Sequence, residues 1–361
     1  MAFRIDHEKK QKLKKYWYSV AFFGGFIFDI LTLGRPDHLF GKVALSTHIF
    51  TAGFVLALLY ASIAQKLPEA FGRFVSRYGP LLVQFAFGSL LSGSLIFYSQ
   101  SGSWSTSWPF LMILLGVMVG NETVHNRTQQ LLFNLVLFFL GIFSYTVLYV
   151  PIFLKMMGPW VFVGSGLLSL VVIFFYIQLL RRIVPNFIEL HLRSIVFFIG
   201  MTFCTLNFLY FENIIPPIPL SLIHIDVYHT VTKVVDGYQL SYEKAPWYKF
   251  WRRADTTYHY QAGDTVYCFS SVFAPADFSL DVFHRWEYYD GTQKKWVTKG
   301  RISYHMSGGR DSGFRGYTLQ ENVREGKWRC SVETERGQII GRETFTIKND
   351  KPVQSLETVT E

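Results

Sequence analysis

Long, nearly uncharged apolar runs fill the first 212 residues of the chain. A helix needs about 20 mostly apolar residues to cross a bilayer, where the backbone has no water to bond. Seven runs approach or reach that length, and the fourth, which ends before Asn121, is the weakest. They are approximately Trp17–Leu33, Ala44–Ala64, Pro80–Tyr98, Trp104–Gly120, Leu131–Leu154, Trp160–Leu180 and Ser194–Phe211. The pattern predicts a membrane α-helical bundle of about seven spans.

From about Ser221 the apolar period changes to two. In the clearest run, Trp328, Cys330 and Val332 alternate with Arg329 and Ser331. Runs like this are separated by turn signals, and seven or eight such short strands are typical of an antiparallel sandwich. The turn signals are Asp236-Gly237, Gly263-Asp264, Asp290-Gly291, Gly308-Gly309 and Arg336-Gly337. We therefore expect an all-β, sandwich-like domain over residues 223–348.

The two parts are joined by a proline-rich segment, residues 213–222. Pro216, Pro217 and Pro219 cannot continue a helix, so we expect a stiff hinge that stands the β domain off the membrane. The last residues, 349–361, are polar, and we expect them to form a flexible tail.

Charge adds an orientation to this plan. Residues 1–220 hold 16 Lys/Arg against 8 Asp/Glu, whereas the rest of the chain is nearly balanced. The net charge of +9 therefore belongs to the apolar part, which argues against nucleic-acid binding. With a cytoplasmic N-terminus (residues 1–16), loops on the inside carry 13 Lys/Arg and those on the outside 3. The positive-inside rule then predicts an inner-membrane protein with residues 17–212 in the membrane and the β domain outside, in the periplasm.

Ionisable residues inside membrane spans are costly and suggest function. A candidate polar cluster lies toward the predicted outer end of the bundle: Asp29, Arg35, Asp37, His48 and Glu212. The alternative is structural, with Asp29 pairing with Arg35 or capping a helix end.

In the β domain, tryptophans and arginines near strand ends suggest a face that binds sugar or peptide. The candidate residues are His284, Trp286, Arg315, Trp328 and Arg329. The alternative is that Trp286 and Trp328 belong to the core and Arg329 is an exposed strand position.

A second surface is aromatic and basic. Trp247, Tyr248, Trp251, Arg252 and Arg253 follow Pro246 within one short segment. Trp and Tyr favour the membrane–water interface and Arg meets phosphate there, so these residues are candidates for membrane-surface contact. A hairpin arm packed on the sandwich explains the same pattern.

Cysteine usage and motifs leave the chemistry open. Cys268 and Cys330 are the cysteines of the β domain, and an oxidising compartment permits a disulfide between them, with two buried free thiols as the alternative. We find no nucleophile elbow, Walker loop or zinc pattern. We therefore expect no cofactor and no metal, and leave open whether the protein is an enzyme.

Several motifs resemble an uncharacterised bacterial family of multi-pass membrane proteins with a C-terminal domain of unknown function (domain of unknown function family 2914). The motifs are Gly25-Phe-Ile-Phe-Asp-Ile-Leu-Thr-Leu-Gly-Arg-Pro-Asp37, Ile215-Pro-Pro-Ile-Pro-Leu-Ser221, His284-x-Trp286, Arg315-Gly316 and Gly326-x-Trp-Arg329. The resemblance implies the same architecture and an envelope location. It makes Asp29, Asp37, His284, Trp286 and Arg329 residues to test, and it names no substrate.

Three functions fit these observations. In the first, the β domain binds or scaffolds an envelope component, either a glycan or a protein. In the second, a membrane-embedded enzyme or transporter acts on a lipid-linked or small polar substrate at the outer polar cluster. The third is an assembly factor held by protein contacts alone. The absence of a catalytic motif favours the first, and the expected partners are the lipid bilayer and an envelope glycan or protein, without nucleic acid.

Overall fold

A computed structural model describes residues 26–27, 29–34, 38–102, 104–123, 130–235, 237–261, 263–275, 278–309, 312–349 and 355–361. It divides into two compact units, a helical one within residues 1–99 and 108–212 and a β one within residues 100–107 and 213–361. A helical N-terminal part followed by an all-β part confirms the predicted fold class.

Seven helices are present in the described part of the N-terminal region. The first, α1, includes residues 26, 27 and 29–32; most of the predicted first span lies outside the described residues. The others are α2 (Leu39–Ile63), α3 (Glu69–Gln100), α4 (Trp104–Thr123), α5 (Leu131–Leu154), α6 (Pro159–Ile183) and α7 (Pro185–Phe211). Five of them, α2, α3, α5, α6 and α7, are long and apolar enough to cross a membrane. The apolar part of α4, Thr106–Asn121, is shorter, in keeping with the weak fourth run.

The helical core is aromatic. Tyr60, Phe87, Phe97, Phe139 and Phe143 are fully buried. Helix α5 has most of its length inside, whereas α6 and α7 expose most of theirs. Large apolar side chains left on an outer surface are what a bilayer, rather than water, would solvate.

The β unit contains eleven described strands in three sheets. They are β1 (Ser221–Tyr228), β2 (Thr230–Val234), β3 (Gly237–Glu243), β4 (Thr257–His259), β5 (Val266–Phe273), β6 (Ser279–Asp290), β7 (Lys295–Ser307), β8 (Phe314–Gln320), β9 (Gly326–Thr334), β10 (Ile339–Lys348) and β11 (Leu356–Thr360). The sheet orders are β1-β5-β8, β4-β10-β9-β6-β7 and β11-β3-β2. All pairs are antiparallel except β4–β10.

One core fills the space between the three-stranded sheet β1-β5-β8 and the five-stranded sheet. Trp286, Trp328 and Phe345 lie there with the two cysteines, which form a disulfide from β5 to β9. A second core, with Tyr228, Leu240 and Phe269, joins the β11-β3-β2 sheet to the other side of β1 and β5. The period-two runs thus put their apolar members inside, as predicted.

One boundary prediction is wrong. The chain end is not a frayed tail, because Leu356–Thr360 pairs with β3 and the Tyr238 and Glu361 backbones exchange hydrogen bonds. The proline-rich join is packed, since residues 215–220 are buried. The Gln338 side-chain amide donates to the Ile215 carbonyl at 3.4 Å, which ties the join to the β unit.

Candidate functional site

A row of arginines crosses the outer face of the five-stranded sheet. The register aligns Arg301 of β7 with Arg285 of β6, then Ser331 of β9, then Arg342 of β10. Neighbouring strands lie about 4.8 Å apart, and like charges directly opposite each other destabilise a sheet. Such a row therefore needs anions beside it.

Two glutamates supply part of that negative charge from the adjacent rows. Glu287 accepts a bidentate pair of bonds from Arg329, at 2.6 Å to Nε and 2.9 Å to Nη2. Glu333, which is 1% exposed, accepts from Arg301 Nε at 2.6 Å. Arg285 lies between them, with its Nε 3.2 Å from Glu333 and 3.6 Å from Glu287. We call this set the arginine face: Arg285, Arg301, Arg329, Arg342, Glu287, Glu333 and Ser331.

Among the described residues, Arg342 is the arginine of this face without a direct ion pair to a carboxylate. Its Nε donates to Ser331 Oγ at 2.9 Å, and among the described residues its Nη atoms have no hydrogen-bond or ion-pair partner. Burial, followed by repulsion from Arg329 and Arg285, lowers the pKa of Arg342 to about 10, although Glu287 and Glu333 partly oppose this shift. Four arginines against two glutamates leave the face with two excess positive charges.

Two of the four guanidinium groups, those of Arg301 and Arg329, lie over aromatic rings. Arg301 lies 3.8 Å above the Phe283 ring, and Arg329 lies 4.3 Å above the Trp296 ring. Tyr289 contacts Trp296 edge-on, with ring centroids 5.2 Å apart. Planar guanidiniums fixed by stacking bind carboxylate and phosphate oxygens with little further ordering. An anion beside the face would offset its excess positive charge.

The predicted binding face is corrected by burial. His284, Trp286 and Trp328 lie in the core, at most 3% exposed, because their strand positions point inward. Arg315 lies on β8 of the other sheet, where it pairs with Ser271. Arg329 alone of the five belongs to the arginine face. The sequence analysis missed Arg285, Arg301 and Arg342, although each has the opposite parity to a core residue of its strand. Those core residues are Trp286, Met306 and Phe345.

The core below the face contains a closed polar network. His284 is hydrogen-bonded to Ser270 Oγ at 2.8 Å and to Thr318 Oγ1 at 3.0 Å, and Trp286 Nε1 donates to Thr318 Oγ1 at 2.9 Å. The cysteine sulfurs and a ring nitrogen of His284 lie within 4.8 Å of one another, a possible metal-ligand set. Here the two sulfurs are bonded to each other and both ring nitrogens have partners, so the cluster is satisfied by protein atoms.

We expect acid to destabilise the β unit through His284. Burial lowers the pKa of His284 to about 3 from 6.5, so the folded state keeps it neutral while the unfolded state takes up a proton. Its contribution is complete above pH 6.5 and is lost as pH falls toward 3, by about 1.4 kcal/mol per pH unit. Hydrogen exchange of strand amides, corrected for intrinsic rates, measures this slope. His284→Asn should remove it while carboxylate effects remain, and equal slopes in both proteins would contradict the assignment.

The candidate membrane cluster is partly described. Ser92 on α3 donates to the Asp29 carboxylate, and His48 on α2 interacts electrostatically with Asp29, so three helices meet at this group. Arg35 and Asp37 lie outside the described residues. Glu212 is the exposed C-cap residue of α7.

The candidate membrane-surface residues separate into two groups. Trp247, Tyr248 and Trp251 are exposed. Arg252 instead turns inward, pairing with Glu343 and lying 3.7 Å from Asp226, and Arg253 pairs with Glu361 at 2.7 Å. The predicted arginine contact with lipid phosphate is therefore wrong for Arg252, whose charge is neutralised inside the domain.

A surface hydrogen-bond chain joins β6 and β7. His305 Nε2 lies 3.0 Å from Ser279 Oγ, and its Nδ1 lies 2.8 Å from Asp281 Oδ1. The order of groups is that of a hydrolase triad, but His305 and Asp281 are each more than half exposed, and water weakens such pairs. We assign no catalysis to it.

Comparison with known proteins places the face in a family region. Residues 280–347 match the model of a family described as protein of unknown function (DUF2914), which confirms the resemblance for the C-terminal domain. No curated protein matches the chain. The matched segment contains every residue of the arginine face.

Two solved structures are similar at low identity. An immunoglobulin-like protein from Pseudomonas aeruginosa is 6% identical, with 36% of this chain and 96% of that one covered and a TM-score of 0.22. The alkylpurine DNA glycosylase AlkC from Pseudomonas fluorescens is 11% identical, with 87% and 99% covered and a TM-score of 0.24. Neither TM-score is high enough to support an argument about this chain.

Proposed function

We propose that this chain, whose β unit contains a DUF2914 region, is an inner-membrane protein that binds an anionic envelope glycan through the arginine face. The single observation that carries the proposal is Arg342, a half-buried guanidinium that is repelled by Arg329 and Arg285 and forms no direct ion pair among the described residues. An anion placed there would relieve the repulsion. Trp296 and Tyr289 beside the guanidiniums offer rings on which a sugar can stack.

The binding role requires the β unit to face the envelope. The loop charges support an N-terminus in the cytoplasm and, after an odd number of spans, a β unit in the periplasm. The disulfide supports the same side, because such bonds persist in oxidising compartments.

Reporter fusions test this orientation. An alkaline phosphatase fused after Phe211, which is active only outside the cytoplasm, should be active, and a fluorescent protein that folds only in the cytoplasm should be dark there. A fusion after Ile63, two spans in, should show the opposite pattern. A fluorescent Phe211 fusion together with an inactive phosphatase fusion at the same site would refute the orientation.

A second candidate function follows from the meeting of Asp29, His48 and Ser92 on three helices. A carboxylate, an imidazole and a hydroxyl held together inside a bundle can relay protons or bind a small polar group. This supports a membrane-embedded enzyme or transporter acting on a lipid-linked or small polar substrate at the outer leaflet.

Complementation of a deletion strain distinguishes the two functions. If glycan binding is the function, Arg342→Gln should fail to complement the deletion at normal membrane abundance, whereas Asp29→Asn should complement it. The enzyme or transporter function predicts the reverse. Membrane abundance of each variant is the control. Failure of Asp29→Asn alone to complement the deletion would overturn the binding proposal.

A further inference from the structure

Four large aromatic side chains project from one short loop of the β unit. Trp247, Tyr248, Phe250 and Trp251 are 90%, 57%, 87% and 69% exposed. We call residues 246–252 the aromatic loop. Other aromatics of this unit are packed, such as Tyr228 and Phe269, which are at most 3% exposed. The concentration of exposed rings in five residues marks an interaction site.

The loop is held in a fixed shape. A β-bridge between Lys244 and Ala254 closes its base, and the Ala245 amide donates to the Arg253 carbonyl at 2.8 Å. Lys249 reaches Asp255 at 3.0 Å, while Arg252 is paired with Glu343. Because the polar side chains of the segment bind the domain, the four rings project from it. They contact one another edge-on in two pairs, Trp247–Tyr248 and Phe250–Trp251.

The chemistry of the rings points to a lipid interface. Indole and phenol groups combine an apolar body with a polar tip, which suits the layer between headgroups and acyl chains. The basic groups nearby are already neutralised, Lys244 by Glu357 and Arg253 by Glu361. The contact would therefore depend on the rings and only weakly on anionic lipid.

The covalent link to α7 keeps a bilayer near the β unit. Helix α7 is long and apolar enough to span and ends at Phe211, and β1 begins at Ser221. The nine residues between them extend at most about 30 Å. A membrane surface is thus always within reach of the β unit, at the high effective concentration that a short tether gives.

We propose that the aromatic loop inserts into the headgroup layer of the bilayer that the helices span. The proposal is independent of the ligand of the arginine face. It gives the β unit a second attachment to the membrane, besides the covalent one.

Quenching by brominated lipid tests the insertion. The full chain carries Cys204→Ala, which removes the free thiol, and a fluorophore on Phe250→Cys. In nanodiscs of phosphatidylethanolamine and phosphatidylglycerol, quenching by lipid brominated near the headgroup should be at least threefold stronger than for a label on Gln293→Cys, in the exposed β6–β7 turn. Adding Trp247→Ser and Trp251→Ser should reduce the Phe250-site quenching to the Gln293 level.

Two results would overturn the proposal. One is equal quenching at the two labelled sites. The other is a label that stays open to aqueous quenchers in nanodiscs but is protected in native membranes, which would show that the loop docks a protein.

Discussion

Glu333→Gln should lower the free energy of unfolding of the β unit by about 2–3 kcal/mol, the loss expected when hydrogen bonds to a charged group are weakened. Glu333 is 1% exposed and accepts from Arg301, with Arg285 beside it. Removing its charge leaves three aligned arginines facing Glu287 alone. Glutamine keeps the shape and one acceptor oxygen, so the loss reports the charge.

Arg342→Gln is the matched control on the same face. Its guanidinium forms no direct ion pair among the described residues and is repelled by Arg329 and Arg285, so the substitution should change stability by less than about 1 kcal/mol or increase it. Hydrogen exchange of the β6, β9 and β10 amides in the purified full chain measures both variants. If Arg342→Gln destabilised the domain as much as Glu333→Gln, Arg342 would be a structural residue and not a binding one.

Removing the disulfide should have an effect of similar size. Cys268 and Cys330 are 62 residues apart and join the two sheets of the main core. Closing a loop of that length restricts the unfolded chain by about 4 kcal/mol in the chain-entropy model. Cys268→Ala with Cys330→Ala should therefore lower the free energy of unfolding of the β unit by about that amount.

The remaining cysteine provides the comparison. Cys204 is exposed and free on α7, so Cys204→Ala should leave exchange in the β unit unchanged. Reducing agent should reproduce the double substitution in the wild type and have no further effect in the variant. A change below about 1 kcal/mol in the double variant would contradict the predicted role of the bond.

More of the fold than of the candidate site can be predicted from the sequence. Apolar run length predicts the helices, and alternation places Trp328 and Cys330 inside. A one-residue shift reverses the face of every side chain in a strand. The motif His284-x-Trp286 predicts a surface site, but both side chains point into the core. Arg285 and Glu287 occupy the outward positions of the same strand.

Other features depend on pairing that one sequence does not contain. The register of four strands brings Arg301, Arg285 and Arg342 together. The pair β6–β7 is distant along the chain from the pair β9–β10. The sequence of β11 reads as a polar tail because the strand is held by backbone hydrogen bonds, with little apolar burial. Edge ion pairs such as Lys244–Glu357 add to this. Neither composition nor periodicity records such contacts.

Anion binding by the arginine face is the central claim, and titration calorimetry of the purified full chain tests it most directly. The probe is an acidic oligosaccharide bearing carboxylate or phosphate groups, with its neutral counterpart as the control ligand. We predict that wild type binds the acidic probe with an affinity that falls as salt rises, that Arg342→Gln binds at least tenfold more weakly, and that Arg253→Gln, an exposed arginine outside the face, binds like wild type. Equal affinity of wild type and Arg342→Gln for the acidic probe, or no preference over the neutral sugar, would contradict the account.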